Sequence, residues 1–262
     1  MTPLTKPVSV LLLDIEGTTT PIDFVYDMLF PYAREHVKPY LEDRPASTEL
    51  QADIRELLQE NSDDVRRGLD PPLINGPAER VSLDEVVAYV HWLMERDRKT
   101  TPLKSLQGKI WDEGYRRGEL RSQVFEDVPR AFKRWREQAR KIFIYSSGSV
   151  LAQKLLFANT EAGDLTAFIS GYFDTTIGAK RAPQSYRAIA GELDLQSSGV
   201  LFVSDVTAEL DAAASADCET LLCVRPGNHP QSPASHTIIN TFDEIFPQPP
   251  NGDASSSVLN LR

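Results

Sequence analysis

The stretch Val10-Leu11-Leu12-Leu13-Asp14-Ile15-Glu16-Gly17-Thr18-Thr19-Thr20-Pro21 decides how this chain folds. Its first four residues form an apolar run of the kind that fills a parallel strand buried on both faces. The run stops at two carboxylates two residues apart, followed by a glycine and three threonines. Open α/β sheets bind their ligands just beyond the carboxyl ends of the strands, where Asp14 and Glu16 stand. Left uncompensated, two anions at the end of a dry strand are costly. A divalent cation resolves that conflict, and hard oxygen ligands select Mg²⁺. The bland alternative is a solvated turn in which Asp14 merely opens a loop ending at Pro21.

Outward from this stretch the pattern becomes helical. Phe24 to Tyr32 is rich in aromatics at positions that suit helical packing. Ala33 to Leu41 reads as a helix that Pro39 bends or ends. Glu49 to Gln59 carries Leu50, Ile54, Leu57 and Leu58 at amphipathic spacing, and a polar link covers 61–77. Ser82 and Glu85 form the sequence of a capping box that opens a helix to about Arg96, and Leu103 to Glu119 is a further helix. The α/β rhythm resumes with a helix over Arg130 to Arg140, anchored by Phe132 and Trp135, and a strand over Lys141 to Tyr145. A helix over Val150 to Phe157, a short strand or turn over Phe168 to Phe173 and a helix over Ser185 to Leu193 follow. Val200 to Ser204 is a strand, Glu209 to Ala216 a helix, and Thr220 to Val224 the final core strand.

The expected fold is α/β: a doubly wound, mostly parallel, Rossmann-like sheet with an inserted α-helical cap. Residues 1–21 and 121–245 make the core, 22–120 the helical cap after the first strand, and 246–262 a flexible tail rich in Pro, Ser, Asn and Gly.

Composition narrows the classes of function. The chain has 262 residues, 41% hydrophobic and 25% charged, ordinary values for a globular protein with a sizeable core. A formal net charge of −10 argues against nucleic acid or an anionic membrane as partner. An anionic substrate then needs a local positive centre. Cys218 and Cys223 have no metal-site spacing and imply no disulfide framework; reduced thiols of a cytoplasmic protein are the simplest reading. No signal-peptide pattern and no membrane-length apolar stretch is present.

Four polar stations punctuate the core. Asp14, Glu16 and Thr18 are the first. Ser146-Ser147-Gly148 is the second, where a strand meets a helix; it suits a phosphate cradle or a plain N-cap. Lys180 is the third, with Arg181 beside it making the choice of cation ambiguous. Asp205 is the fourth, again at a strand end, with Glu209 four residues on; a helix N-cap reading competes there.

In this order the stations resemble the four motifs of the haloacid-dehalogenase-like hydrolase superfamily. A narrower resemblance rests on Asp14-Ile15-Glu16-Gly17-Thr18-Thr19-Thr20-Pro21-Ile22, Ile144-Tyr145-Ser146-Ser147-Gly148-Ser149-Val150, Gly171-Tyr172-Phe173-Asp174-Thr175 and Ser204-Asp205-Val206-Thr207-Ala208-Glu209-Leu210. Trp111-Asp112-Glu113-Gly114-Tyr115 and Val224-Arg225-Pro226-Gly227-Asn228 add to it. These look like the enolase-phosphatases of methionine salvage (acireductone synthases), over about residues 8–230. Glu16, where most of the superfamily's phosphatases have aspartate, belongs to that narrower pattern.

The resemblance implies one Mg²⁺ per subunit, held by Asp14, Asp205 and the backbone carbonyl of Glu16. It implies a phosphorylated diketone substrate, Asp14 as the nucleophile that forms an aspartyl phosphate, and Lys180, Ser146 and the Ser147-Gly148 amides as phosphate binders. Glu16 is the candidate acid/base, while the enolisation base stays open between Asp14 and Glu16. A monomer in the cytoplasm, or also the nucleus of a eukaryote, is expected. The rival expectations are a simple phosphomonoesterase of the same superfamily and a non-catalytic phosphate-ligand binding protein.

Overall fold

Strand β1 (Val10–Leu13) is buried at every position. Leu11 and Leu13 enter one apolar cluster, while Val10 and Leu12 enter another on the opposite face of the sheet. The continuous apolar run is thus the mark of a strand covered on both sides. A computed structural model describes residues 7–44, 47–230, 232 and 235–247. Within it β1 is flanked by β2 (Lys141–Tyr145), β3 (Gly171–Phe173), β4 (Val200–Ser204), β5 (Glu219–Cys223) and β6 (Thr237–Ile239). The order is β3-β2-β1-β4-β5-β6, and every pairing is parallel.

Helices α1 (Phe30–Glu42), α2 (Thr48–Arg66), α3 (Leu83–Glu95) and α4 (Thr101–Arg117) lie between β1 and β2 in sequence, and α5 (Asp127–Glu137) leads into β2. Helices α6 (Val150–Ala158), α7 (Pro183–Glu192) and α8 (Thr207–Ser215) connect the later strands. One buried cluster runs without a break from Leu11 and Leu13 through Val37, Leu57, Val90 and Leu106 of the first four helices. Each such side chain contributes roughly 1.5–3 kcal/mol relative to exposure, so apolar burial ties the helical region to the sheet. No helix among the described residues is long and apolar enough to cross a membrane.

Several elements depart from the sequence reading. A π-helix, Phe24–Leu29, precedes α1, and α1 continues through Pro39 to Glu42. Proline removes one main-chain bond, but Ala33, Val37 and Leu41 are fully buried along one stripe and packing overrides the loss. Helix α2 runs to Arg66, seven residues past the expected Gln59. Its inward face continues beyond Leu57 as the polar residues Asn61 and Asp64, which apolar periodicity does not register. Asn61 bonds Pro72 O at 2.8 Å, and Asp64 accepts from Tyr89 Oη at 2.8 Å.

Ser82 does stand at the N-cap of α3, yet its side chain makes no capping bond. Glu85 instead accepts from the Asn75 amide at 2.9 Å and from Asn75 Nδ2 at 3.2 Å, so no capping box forms. Strand β5 is not the last, because the three-residue β6 adds an edge too short to read from periodicity. Phe246, the expected start of the tail, is held: its carbonyl accepts from Arg134 and Gln138, and its ring lies under the Arg140 guanidinium at 3.4 Å. Residues 248–262 lie outside the described residues.

Candidate active site

The chain leaves β1 toward β2 and leaves β4 toward β5, on opposite sides. The loops after β1 and β4 therefore part and open a crevice at the sheet's switch point. Leu13 is in register with Ile144 of β2 and Val203 of β4. Asp14 N–H donates to Val203 O at 3.0 Å, extending the ladder one residue past β1. Register alone thus brings Ser146, Asp14 and Asp205 to one end of three adjacent strands.

Asp14 is 2% exposed. Its Oδ1 accepts from the Ile15 amide at 2.8 Å and lies 2.6 Å from Lys180 Nζ. Its Oδ2 accepts from Ser204 Oγ at 2.9 Å. Lys180 Nζ is also 2.7 Å from Glu209 Oε2, and Ser204 Oγ reaches that oxygen at 3.2 Å. Asp14, Lys180, Glu209 and Ser204 thereby close a buried polar ring. Burial alone would lower the lysine's pKa, but Asp14 and then Glu209 override it, so Lys180 stays an ammonium well above its ordinary range. The Lys180–Arg181 ambiguity ends here: Lys180 is buried in the ring and Arg181 is exposed.

Asp205 and Glu209 are each pushed up to about 7 by burial and then by the charge of Asp14. Burial, and after it Asp14, also raises Glu16. Neither Glu16 nor Asp205 forms an ion pair among the described residues, so four carboxylates share one paired ammonium. That imbalance calls for more positive charge.

The turn after Asp14 is tightly wound. Ile15 O accepts from the amides of Thr18, Thr19 and Thr20, Thr19 Oγ1 donates to Asp14 O, and Gly17 N–H donates to Thr20 O. Asn228 Nδ2 holds Gly17 O at 2.9 Å, and Arg225 holds Thr18 O at 3.3 Å. Gly17 sits at φ +68, and a Cβ there would meet Asp205 Oδ2 at 2.4 Å, so only glycine lets Asp205 approach. The carbonyls of Asp14, Ile15, Gly17 and Thr18 are all occupied. The carbonyl of Glu16 accepts no hydrogen bond among the described residues.

At the second station the N-cap of α6 is Ser149, whose side chain accepts from Ala152 N–H. The cap reading of Ser146 and Ser147 therefore falls away. Ser146 Oγ accepts from Gly148 N–H at 3.2 Å, leaving its own proton free to donate. Gln153 Nε2 fastens this loop by donating to Gly148 O and Phe173 O, and Lys104 of α4 reaches across to Ser147 O at 3.2 Å.

Two adjoining cavities meet at this loop. One, of ≈ 750 Å³, is lined by Asp14, Glu16, Lys180 and Asp205. The other, of ≈ 660 Å³, is walled by Val25, Leu29, Phe30 and Trp111 on one side and by Ser146–Ser149 on the other. Glu16 and Ser147 line both. Phe24 and Trp92 are buried in the core and Met94 packs against it, while Tyr26 is half exposed and lines the first cavity.

Sequence reasoning missed Ser204, Arg225 and Asn228 as site residues and left Glu209 without a role. Ser204 reads as a strand residue yet acts on Asp14 across 190 positions of chain, Arg225 and Asn228 act on Thr18 and Gly17 across 207 and 211, and Glu209 acts on Lys180. The motifs Ser204-Asp205-Val206-Thr207-Ala208-Glu209-Leu210 and Val224-Arg225-Pro226-Gly227-Asn228 are the signals that point there.

A buried aspartate ending the first strand of such a sheet, with lysine brought to it from a later loop, is the arrangement of haloacid dehalogenase-like hydrolases. The family model of that description matches residues 8–217, and the chain belongs to this class. It is 49% identical over 243 residues to the enolase-phosphatase E1 of Synechococcus elongatus, covering 93% of this chain and 100% of that protein. A probable bifunctional methylthioribulose-1-phosphate dehydratase/enolase-phosphatase E1 of Sorghum bicolor is 46% identical over 90% of this chain and 46% of its own length. The crystal structure of the UTR4 protein of Saccharomyces cerevisiae superposes with a TM-score of 0.73 at 33% identity, covering 91% of this chain and 100% of that one. Within the class, the chain is a member of the enolase-phosphatase E1 family.

Proposed function

We propose that this chain is a Mg²⁺-dependent enolase-phosphatase. It converts 2,3-dioxo-5-methylthiopentyl 1-phosphate to the acireductone 1,2-dihydroxy-3-keto-5-methylthiopentene and phosphate, a step of methionine salvage. The observation that carries the reading is Asp14 held between Lys180 and Ser204, with Glu16 lining both cavities.

The residues fit a hard divalent cation. No cluster of three or more His, Cys, Asp or Glu side chains with metal-binding geometry exists among the described residues. Asp14 and Asp205 flank the turn in which, among the described residues, the Glu16 carbonyl accepts no hydrogen bond, and these three oxygen donors would hold Mg²⁺. When bound, the ion neutralises phosphate charge and polarises a nearby carbonyl.

The chain's own residues do the rest. The Ser146 hydroxyl, the Ser147 amide, the Gly148 amide once it turns from Ser146 Oγ, and Lys180 bind the phosphate and screen its repulsion from Asp14. Asp14 attacks phosphorus and forms an aspartyl phosphate. Glu16 protonates the leaving oxygen and then activates the water that opens the intermediate. In the preceding enolisation Glu16 takes the proton from the carbon that bears the phosphate. The apolar cavity at Val25, Leu29, Phe30 and Trp111 receives the methylthioalkyl chain, and the helices over residues 22–120 serve as the cap that excludes water. The same reading places the protein in the cytoplasm, with Cys218 and Cys223 both buried.

NMR of the diketone phosphate with protein and Mg²⁺ tests the reading. Enol phosphate followed by free phosphate is expected. Phosphate release from sugar phosphates with none from the diketone would make the chain a simple phosphomonoesterase, and no turnover of either would leave a binding protein.

Chelation is expected to stop turnover and added Mg²⁺ to restore it. Mg²⁺ is also expected to raise the thermal midpoint of the native protein, by ligand linkage, and to do so far less for Asp205→Asn. Full turnover after exhaustive chelation, with no metal retained by elemental analysis, would remove the metal from the mechanism.

A further inference from the structure

Lys180, held by Asp14 and Glu209, and the serine loop both serve the phosphate. Beside the cation, the enolisation half of the proposed reaction gains from a positive group of the chain's own where charge develops on a carbonyl oxygen. Lys99, in the loop between α3 and α4, lines both cavities, as Glu16 does. It stands at their junction, with the carboxylate pocket on one side and the apolar cavity on the other. A ligand with its phosphate at Ser146–Gly148 and an apolar tail beside Phe30 occupies the cavity that Glu16 and Lys99 both line.

The loop gives Lys99 a fixed base and a free tip. Arg98 is anchored to Glu60 at 2.8 Å and to the fully buried Asp64 at 3.1 Å. Asp97 turns the chain at φ +48, just after the end of α3. The Lys99 ammonium lies 4.8 Å from the centroid of the Phe30 ring, which floors the junction. Its ion-pair partner is Asp97, at 2.5 Å, and the two side chains are 40% and 61% exposed. A pair so exposed contributes little and is given up readily.

We infer that Lys99 is a catalytic residue of the enolisation: its ammonium leaves Asp97 and hydrogen-bonds to the carbonyl oxygen next to the phosphate-bearing carbon. This rests on the enolase-phosphatase reading. In the step, the C–H bond breaks and its proton goes to Glu16. The C–H electron pair becomes the C=C bond, and the carbonyl π pair moves onto oxygen, where Lys99 N–H stabilises it. Because a carbonyl-free phosphate ester offers Lys99 nothing, the same lysine selects for keto substrates.

The test compares wild type, Lys99→Met, Lys99→Arg and Asp97→Asn. For each, solvent-deuterium exchange at the phosphate-bearing carbon and phosphate release are followed with the diketone phosphate. Phosphate release from a simple alkyl phosphate and the thermal midpoint are measured in parallel. Lys99→Met is expected to lose on the order of 10²-fold in exchange, with a deficit on the alkyl phosphate at least tenfold smaller. Lys99→Arg is expected to recover part of the exchange, and Asp97→Asn to keep it. Equal losses on both substrates, or no loss of exchange in Lys99→Met, would overturn the inference. Absence of exchange in the wild type would instead overturn the enolase reading on which it rests.

Discussion

Asp14→Asn is expected to fold normally and to release no phosphate above background. The amide oxygen can keep the bonds that Oδ1 makes to the Ile15 amide and Lys180. The amide nitrogen then faces Ser204 Oγ, which accepts from it and turns its own proton to Glu209 Oε2, already 3.2 Å away. Lys180 retains Glu209 as a charged partner at 2.7 Å, so no buried ammonium is stranded. What is lost is the nucleophile, since an amide cannot accept the phosphoryl group.

Enolisation, which needs a base and a polarised carbonyl, is expected to survive in part because Glu16 is intact. Glu16→Gln is expected to show the reverse emphasis, with exchange slowed and an aspartyl phosphate trapped. Deuterium exchange at the phosphate-bearing carbon, followed beside phosphate release, checks both variants. Exchange lost in Asp14→Asn and kept in Glu16→Gln would make Asp14 the base.

Lys180→Ala is expected to be far more damaging than Arg181→Ala, although the two residues are neighbours in sequence. Removing one member of a buried, hydrogen-bonded ion pair commonly costs about 3–5 kcal/mol. If that cost falls on the reaction barrier, phosphate release drops on the order of 10²-fold or more. The reason is local: without Lys180, Asp14 and Glu209 repel each other and the incoming phosphate, and nothing else in the ring is positive. Arg181 is exposed, and surface substitutions of that kind stay within about 0.5 kcal/mol. Steady-state phosphate release and thermal midpoints for both variants decide it. Equal and small effects would mean that the cation of the site has been misassigned.

Three of the residues that touch phosphate and metal in this reading stand out in the chain because each follows a short apolar run. Asp14 after Val10–Leu13, Ser146 after β2 and Asp205 after β4 are polar groups at the ends of dry strands, and a parallel sheet brings such ends together whatever the loops do. Periodicity likewise marked β1, β2, β4 and the anchors Phe132 and Trp135 of α5. These are local properties, set by residue type and by a spacing of two or of three to four.

Only the tertiary structure decided the rest, because it depends on which distant residues become neighbours. Lys180 and Arg181 are alike in sequence and differ solely in which one the turn before α7 buries against Asp14. Ser149, not Ser146, caps α6, and that alone frees Ser146 for a ligand. Helix α2 continues through Asn61 and Asp64 because Pro72, Tyr89 and Arg98 arrive to satisfy them. The turn at Gly17–Thr18 is held open by Asn228 and Arg225, more than 200 residues downstream. Hydrogen bonds and ion pairs are directional and short in range, so their partners exist only once the chain has folded, whereas the burial of an apolar strand is written into its own residues.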